Sequence, residues 1–171
     1  MRTNPIRPLL RWAGSKREAL HRLAPYYPGC GRYIEPFAGS ASLFFYLEPH
    51  LSILGDANKH VIDLYASVRR APVAVWSAWS SMPVSKDFYL QLRARAFAEA
   101  DPVQRAANFL YLNRNCFNGI FRVNKHGRFN VPFSGCRTGR LPSLEDFTES
   151  AKILWRAQLF NSDFEVLVTA K

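Results

Sequence analysis

Residues 33–42 constrain the fold of this chain more than any other stretch: they read Tyr-Ile-Glu-Pro-Phe-Ala-Gly-Ser-Ala-Ser. Tyr33 and Ile34 suit a short buried strand. The small residues after Phe37 suit a turn whose backbone can approach a ligand closely. The apolar run at 43–47 fits a helix lying on a sheet, and residues 51–56, Leu-Ser-Ile-Leu-Gly-Asp, read as a second strand ending in an acid. Over 60–70, Val61, Ile62, Leu64, Tyr65 and Val68 recur at helical spacing. The pattern predicts a β–turn–α–β–α unit, the opening of a doubly wound α/β sheet.

The middle of the chain reads differently. Residues 71–81, 87–98 and 103–117 carry helical periodicity, with Pro72, Pro83 and Pro102 near their starts. No strand is expected between 70 and 118, so 71–140 is predicted to be an inserted module. Within it, 120–123 and 128–131 are β-prone runs around an Asn-Lys-His-Gly tip, which predicts a β-hairpin. A helix over 143–157 and a strand over 158–161 return the chain to the sheet. The α/β domain is thus expected to comprise 1–70 and 141–171.

The sequence carries 23 Lys+Arg against 13 Asp+Glu, a formal net charge of +10 over 171 residues. The distribution matters more than the sum. No acid occurs between 102 and 144, where Arg105, Arg114, Arg122, Lys125, Arg128, Arg137 and Arg140 stand. A second basic group, Arg2, Arg7, Arg11, Lys16, Arg17 and Arg22, opens the chain. Basic blocks interleaved with aromatics fit a polyanion surface, most naturally nucleic acid, although a solvated cationic face would carry the same residues. The 48% hydrophobic content excludes global disorder. No apolar run spans a membrane or resembles a secretory signal, so no membrane partner and a cytoplasmic location are expected. Cys30, Cys116 and Cys136 form no CxxC pair and suit a reducing compartment, and no metal site is expected.

The turn at 35–42 lacks the GxGxxG that seats a pyrophosphate, and it sets Glu35 beside the glycine. A carboxylate there repels phosphates and attracts a cation. S-adenosylmethionine carries a sulfonium and an ammonium and no phosphate, so the pattern favours it over a dinucleotide. Asp56 at the end of the second strand suits a ribose diol. An ordinary strand–helix turn with a structural glycine remains the plain alternative. Asparagines crowd the run 111–133, beyond what folding alone would ask of amides, and Asn and Arg are the side chains that read adenine and guanine bidentately.

Three segments together resemble the Dam-type DNA adenine-N6 methyltransferases. Arg-Trp-Ala-Gly-Ser-Lys at 11–16 is similar to that family's N-terminal motif, and Glu-Pro-Phe-Ala-Gly-Ser-Ala-Ser to its cofactor loop. Residues 113–133 are similar to its signature of Asn-Arg, Asn-Gly, Arg-x-Asn and Phe-Asn-Val-Pro, and Asn161-Ser162-Asp163-Phe164 continues the match. The resemblance implies a Rossmann-like methyltransferase sheet, here incomplete, with an inserted target-recognition module. It implies S-adenosylmethionine as cofactor and double-stranded DNA as partner. Trp12, Ala13 and Lys16 would line the cofactor pocket. Glu35, Pro36, Phe37, Gly39 and Ser40 would hold the methionine end, Asp56 the ribose, and Asp163 and Phe164 the adenine. Arg11 and Arg122 would contact guanines, with Ile120 and Pro132 against thymine methyls, as in a GATC-like site. Phe117 would wedge beside the extruded adenine, with Asn118 and Asn124 on the same reading surface. Arg114, Lys125, Arg128, Arg137 and Arg140 are expected to contact phosphates.

The family's chemistry depends on Asp-Pro-Pro-Tyr, whose Asp and prolyl carbonyl accept the hydrogens of the target amine while its Tyr stacks on the flipped base. The 11 prolines here include no adjacent pair, so no catalytic residue is assigned in this chain. Three explanations stand: a split enzyme with a complementary chain carrying the motif, a truncation, or a non-catalytic DNA-binding module derived from the family. A sheet without its later strands is expected to leave an edge that associates with another chain.

Overall fold

The computed structural model describes residues 6–29, 31–95, 97–135 and 141–169. Among these, three strands form one parallel sheet in the order β1-β2-β3: β1 (Tyr33–Glu35), β2 (Ser52–Gly55) and β3 (Ala157–Phe160). Ile34 stands opposite Ile53, and Ile53 opposite Gln158. β2 is buried along its whole length, as the central strand of a covered parallel sheet should be. β1 and β3 each pair on one side only among the described residues.

Eight α-helices accompany the sheet among the described residues: α1 (Leu20–Leu23), α2 (Ser42–Leu47), α3 (Lys59–Arg70), α4 (Pro72–Ser80), α5 (Lys86–Arg95), α6 (Pro102–Asn115), α7 (Leu144–Leu154) and α8 (Phe164–Thr169). The β1–turn–α2–β2–α3 order is the one the sequence predicts. α3 starts where the Asn58 side chain accepts the His60 amide, and it buries Val61, Leu64, Tyr65 and Val68 along one stripe. α6 opens with Asp101 as its cap and Pro102 in its first turn. Its residues from Ala106 to Asn115 are all buried, so it is a central helix with no solvent face over that length. α7 carries a reciprocal capping box between Ser143 and Asp146. α8 was not foreseen from the sequence.

α4 and α6, assigned from sequence to the inserted module, pack directly on the α/β unit: α4 on α3 and α7, and α6 on α3. One apolar cluster joins Leu54 of β2, Val68, Trp79, Leu110, Phe129 and Phe147. The helices of 71–140 therefore share the core of the α/β unit.

The hairpin expectation needs correction. Residues 120–133 do fold back: the Asn130 amide donates to the Arg122 carbonyl at 3.2 Å and the Asn124 amide to the Arg128 carbonyl at 2.9 Å. The pairing amounts to isolated bridges, Val123 with Phe129 and Cys116 with Phe133, rather than two continuous strands. Two causes are local. Pro132 has no amide to donate. The Asn124 carboxamide oxygen takes the His126 and Arg128 amides, tightening the tip into an Asx-type turn.

Removing the α7 cap should be felt directly. Ser143→Ala is expected to lower folding stability by about 1 kcal/mol, read as a fall in the urea midpoint at unchanged slope.

Candidate cofactor cavity and nucleic-acid interface

A cavity of about 340 Å³ opens where the ends of β1 and β2 meet the N-terminal segment. Its walls include Trp12, Ala13, Lys16, Glu35, Phe37, Gly39, Ser40 and Asp56, eight of the residues singled out from the sequence. Chain direction explains the meeting. In a parallel sheet the carboxyl ends of neighbouring strands lie side by side, so the turn after β1 and the acid after β2 are adjacent.

Gly39 is required here twice over. Its φ is +47°, and a Cβ would lie 2.4 Å from Cδ1 of Trp12. Its amide donates to Asp56 Oδ2 at 2.8 Å, and its carbonyl accepts from the buried Tyr65 hydroxyl at 2.7 Å. Asp56 Oδ1 accepts the Asn58 amide at 2.8 Å. The acid after β2 thus pins the turn after β1. Both its oxygens keep further acceptor capacity.

Glu35 is the electrostatic centre. It is only 4% exposed. Oε2 accepts from the Tyr33 hydroxyl at 2.8 Å and from the Phe44 amide at 3.3 Å. The Lys16 ammonium stands 3.3 Å from Oε1, yet the approach is not a well-aligned hydrogen bond, and Oε1 is left without one. Burial raises the Glu35 pKa above the ordinary glutamate value. Tyr33, Lys16 and the Phe44 amide pull it back only in part.

The N-terminal segment reaches the sheet because α6 holds it. The buried Arg114 guanidinium donates to the Leu9 carbonyl at 2.9 and 2.6 Å and to the Pro8 carbonyl at 2.7 Å. Burial lowers its pKa to about 10, with Arg11 and Arg17 adding repulsion, which leaves it charged at neutral pH. The expected phosphate contact of Arg114 is therefore corrected: the side chain is 4% exposed and faces backbone carbonyls, not solvent. Trp12, next in this segment, stacks on Phe121 at 6.0 Å and meets Phe109 edge-on at 6.2 Å.

A second group of residues lies on the surface of 117–133. Phe117, Asn118, Ile120, Arg122, Lys125, Arg128 and Pro132 are exposed there, with Arg11 half-buried nearby in the fold. Phe117 is 54% exposed, unusual for a phenylalanine beside a packed core. Arg122 Nε donates to Asn130 Oδ1 at 2.8 Å. The asparagines serve the fold more than their density suggested: Asn113 and Asn115 are buried and bonded to backbone, and Asn124 shapes the turn. Arg137 and Arg140 lie outside the described residues.

Several predicted members stand apart from the cavity wall. Pro36 is half-buried and is not among the wall residues. Asp163 accepts the Glu165 amide at 3.0 Å at the start of α8. Phe164 packs on Phe37 with ring centroids 5.2 Å apart, so it extends the wall indirectly. Conversely, sequence reading passed over Ser15 and Ser42, which line the cavity and bond to Ser40 and to each other. It also passed over Tyr33 and Phe121. Only Tyr33 left a signal, a hydroxyl two positions before Glu35 on a strand, where alternate residues share a face.

The sequence profile of the D12 class N6 adenine-specific DNA methyltransferases matches residues 12–170. The chain belongs to that family. The type II methyltransferase M.MjaIII of Methanocaldococcus jannaschii is 29% identical, over 95% of this chain and 64% of that protein. The DNA adenine methylase of Serratia marcescens is 37% identical, over 81% of this chain and 53% of that protein. The DNA N-6-adenine-methyltransferase of Escherichia phage P1 is 31% identical, over 96% of this chain and 22% of that protein. The chain spans about half to just under two thirds of the length of most curated relatives it matches. Among the described residues, no helix is long and apolar enough to cross a membrane.

The state of Glu35 has a measurable consequence. An acid whose pKa rises on folding costs stability above its unfolded value of 4.5, increasingly until the folded value is passed. Glu35→Gln removes that cost. The variant is expected to be more stable than the wild type at neutral pH, with the advantage shrinking as pH falls from the raised folded value toward 4.5 and lost below it, measured by thermal unfolding across pH.

Proposed function

We propose that this chain is the cofactor-binding and DNA-reading portion of an S-adenosylmethionine-dependent DNA adenine-N6 methyltransferase. The observation that carries the reading is Glu35: a buried carboxylate with one oxygen lacking a hydrogen bond, on the wall of a cavity, in a chain of the adenine-N6 family. A buried carboxylate in that state calls for a cationic donor. The cofactor's α-ammonium is such a donor, and Lys16, at 36% exposed, can swing toward solvent to admit it.

S-adenosylmethionine supplies an electrophilic methyl group on sulfonium sulfur. The protein's part is to bind and orient. Glu35 would take the ammonium, with Gly39 and Ser40 letting the methionine end approach the backbone. Asp56 would accept from the ribose hydroxyls through its remaining lone pairs, already held in place by the Gly39 and Asn58 amides. Trp12, Ala13 and Lys16 would close one side. Phe37 and Phe164, with Asp163 at the rim, would flank the adenine.

The reading surface would be the exposed face of 117–133 together with Arg11. Arg122, steadied through Nε by Asn130, would present its two terminal nitrogens to guanine O6 and N7. Phe117 would wedge into the base stack, Ile120 and Pro132 would meet thymine methyls, and Asn118 would lie alongside them. Lys125 and Arg128 would meet phosphates. Activation of the target amine requires an Asp-Pro-Pro-Tyr element, which this sequence lacks, and we assign it to a further polypeptide segment or a complementary chain. The one-sided pairing of β1 among the described residues and the exposure of Leu51 beside it suit such an addition.

Two measurements test this reading. Isothermal titration with S-adenosylmethionine should show binding that weakens about tenfold or more in Glu35→Gln, the scale of one charge-assisted hydrogen bond. Affinity should also fall as pH drops through the raised Glu35 value. Equal affinity in both proteins, at all pH, would overturn the assignment. Arg122→Ala should relax discrimination at one guanine by about 1–3 kcal/mol in DNA binding. A uniform loss across sequences would make Arg122 a phosphate contact only.

A further inference from the structure

Asn113 is 3% exposed. It spends its whole carboxamide on two backbone segments. Oδ1 accepts the Arg11 amide at 2.9 Å. Nδ2 donates to the Arg11 carbonyl at 2.7 Å and to the Gly119 carbonyl at 3.2 Å. Both backbone groups of Arg11 are thus held by one buried side chain, more than a hundred residues away in sequence. The same amide reaches the turn that carries Phe117, Asn118 and Ile120. Gly119 presses on Arg11 from the other side: its φ is +66°, and a Cβ there would lie 2.6 Å from the Arg11 Cβ. Arg11 itself is half-buried, and its guanidinium has no carboxylate partner among the described residues.

We infer that Asn113 is the positioning residue for Arg11: its carboxamide fixes the Arg11 backbone against the 117–120 turn, so that Arg11 meets a base in register with that turn. The inference rests on the DNA-reading role proposed above. The physical reason is entropic. An arginine at the start of an irregular segment would otherwise lose backbone freedom on meeting a base, and a clamped one has already lost it. A carboxamide suits the task because it offers one acceptor and two donors in one plane, matching an amide and two carbonyls. A carboxylate would keep the bond from the Arg11 amide and oppose both carbonyls.

The test is a double-mutant cycle on sequence discrimination with the full chain. Fluorescence anisotropy would give affinities for a duplex carrying GATC and for each single-base-pair replacement, with wild type, Asn113→Ala, Arg11→Ala and the double variant. Asn113→Ala is expected to lose about tenfold in discrimination at the base pair where Arg11→Ala loses it, as expected for one forfeited base contact. In the Arg11→Ala background the same change should cost nothing further, and S-adenosylmethionine affinity measured alongside should change far less than discrimination. Gly119→Ala attacks the clamp from the turn on the other side of Arg11, and should reproduce the loss at that base pair if Asn113→Ala does not fold. Penalties that add fully, or a loss spread evenly over all base pairs, would overturn the inference while leaving the DNA reading intact. A wild-type chain with no preference among the duplexes would overturn the DNA reading, and the inference with it.

Discussion

The polar end of α6 is the constraint on which the rest of the site depends. Asn113 and Arg114 are buried side chains that hold the backbone of residues 8–11, a segment with no regular structure of its own. Irregular backbone pressed onto a core must find partners for its carbonyls and amides, and here the helix provides them. Of the two, Arg114 carries the cavity: its hold on Pro8 and Leu9 brings the segment in which Trp12 lies against Gly39 and Lys16 beside Glu35. Without that hold the cavity would lose its third wall. A charge buried for this purpose is costly, and Arg114 tolerates it by spreading its donors over two carbonyls.

The cavity then follows from two parallel strands. Their carboxyl ends bring Glu35 and Asp56 together, and the two acids have opposite tasks. Asp56 ties the Gly39 turn and the start of α3 with one bond on each oxygen and keeps acceptor capacity on both. Glu35 is left partly unsatisfied, with a raised pKa and an oxygen lacking a hydrogen bond. A fold built for stability alone would place an amide there. On the proposed reading, this carboxylate, faced so far only by the Lys16 ammonium, is the group that would meet the cofactor's ammonium.

Adjacent to the cavity, Trp12 lies against Phe121, and Phe121 belongs to the segment that carries the exposed face of 117–133. The proposed cofactor site and the proposed reading surface are therefore built from contiguous side chains within one core. The boundary drawn at 70 and 140 describes the order of the chain better than it describes packing, because α4 and α6 complete the core that α3 and α7 begin.

What the sequence determined by itself is local. The small-residue turn between a strand and a helix, the acid closing the next strand, the amphipathic stripe of α3 and the proline starts of α4 and α6 all come from neighbours within a few positions. Those were legible for that reason. So was the family, because its three motifs keep their order. Contacts between residues distant in the chain were not legible. Lys16 reaching Glu35, Phe121 reaching Trp12, and Arg114 turning inward to Leu9 depend on how the chain packs in space, which no periodicity encodes. An arginine in a basic stretch looks the same whether it faces phosphate or carbonyl. Only the burial of α6 on every side decided that Arg114 holds the fold together.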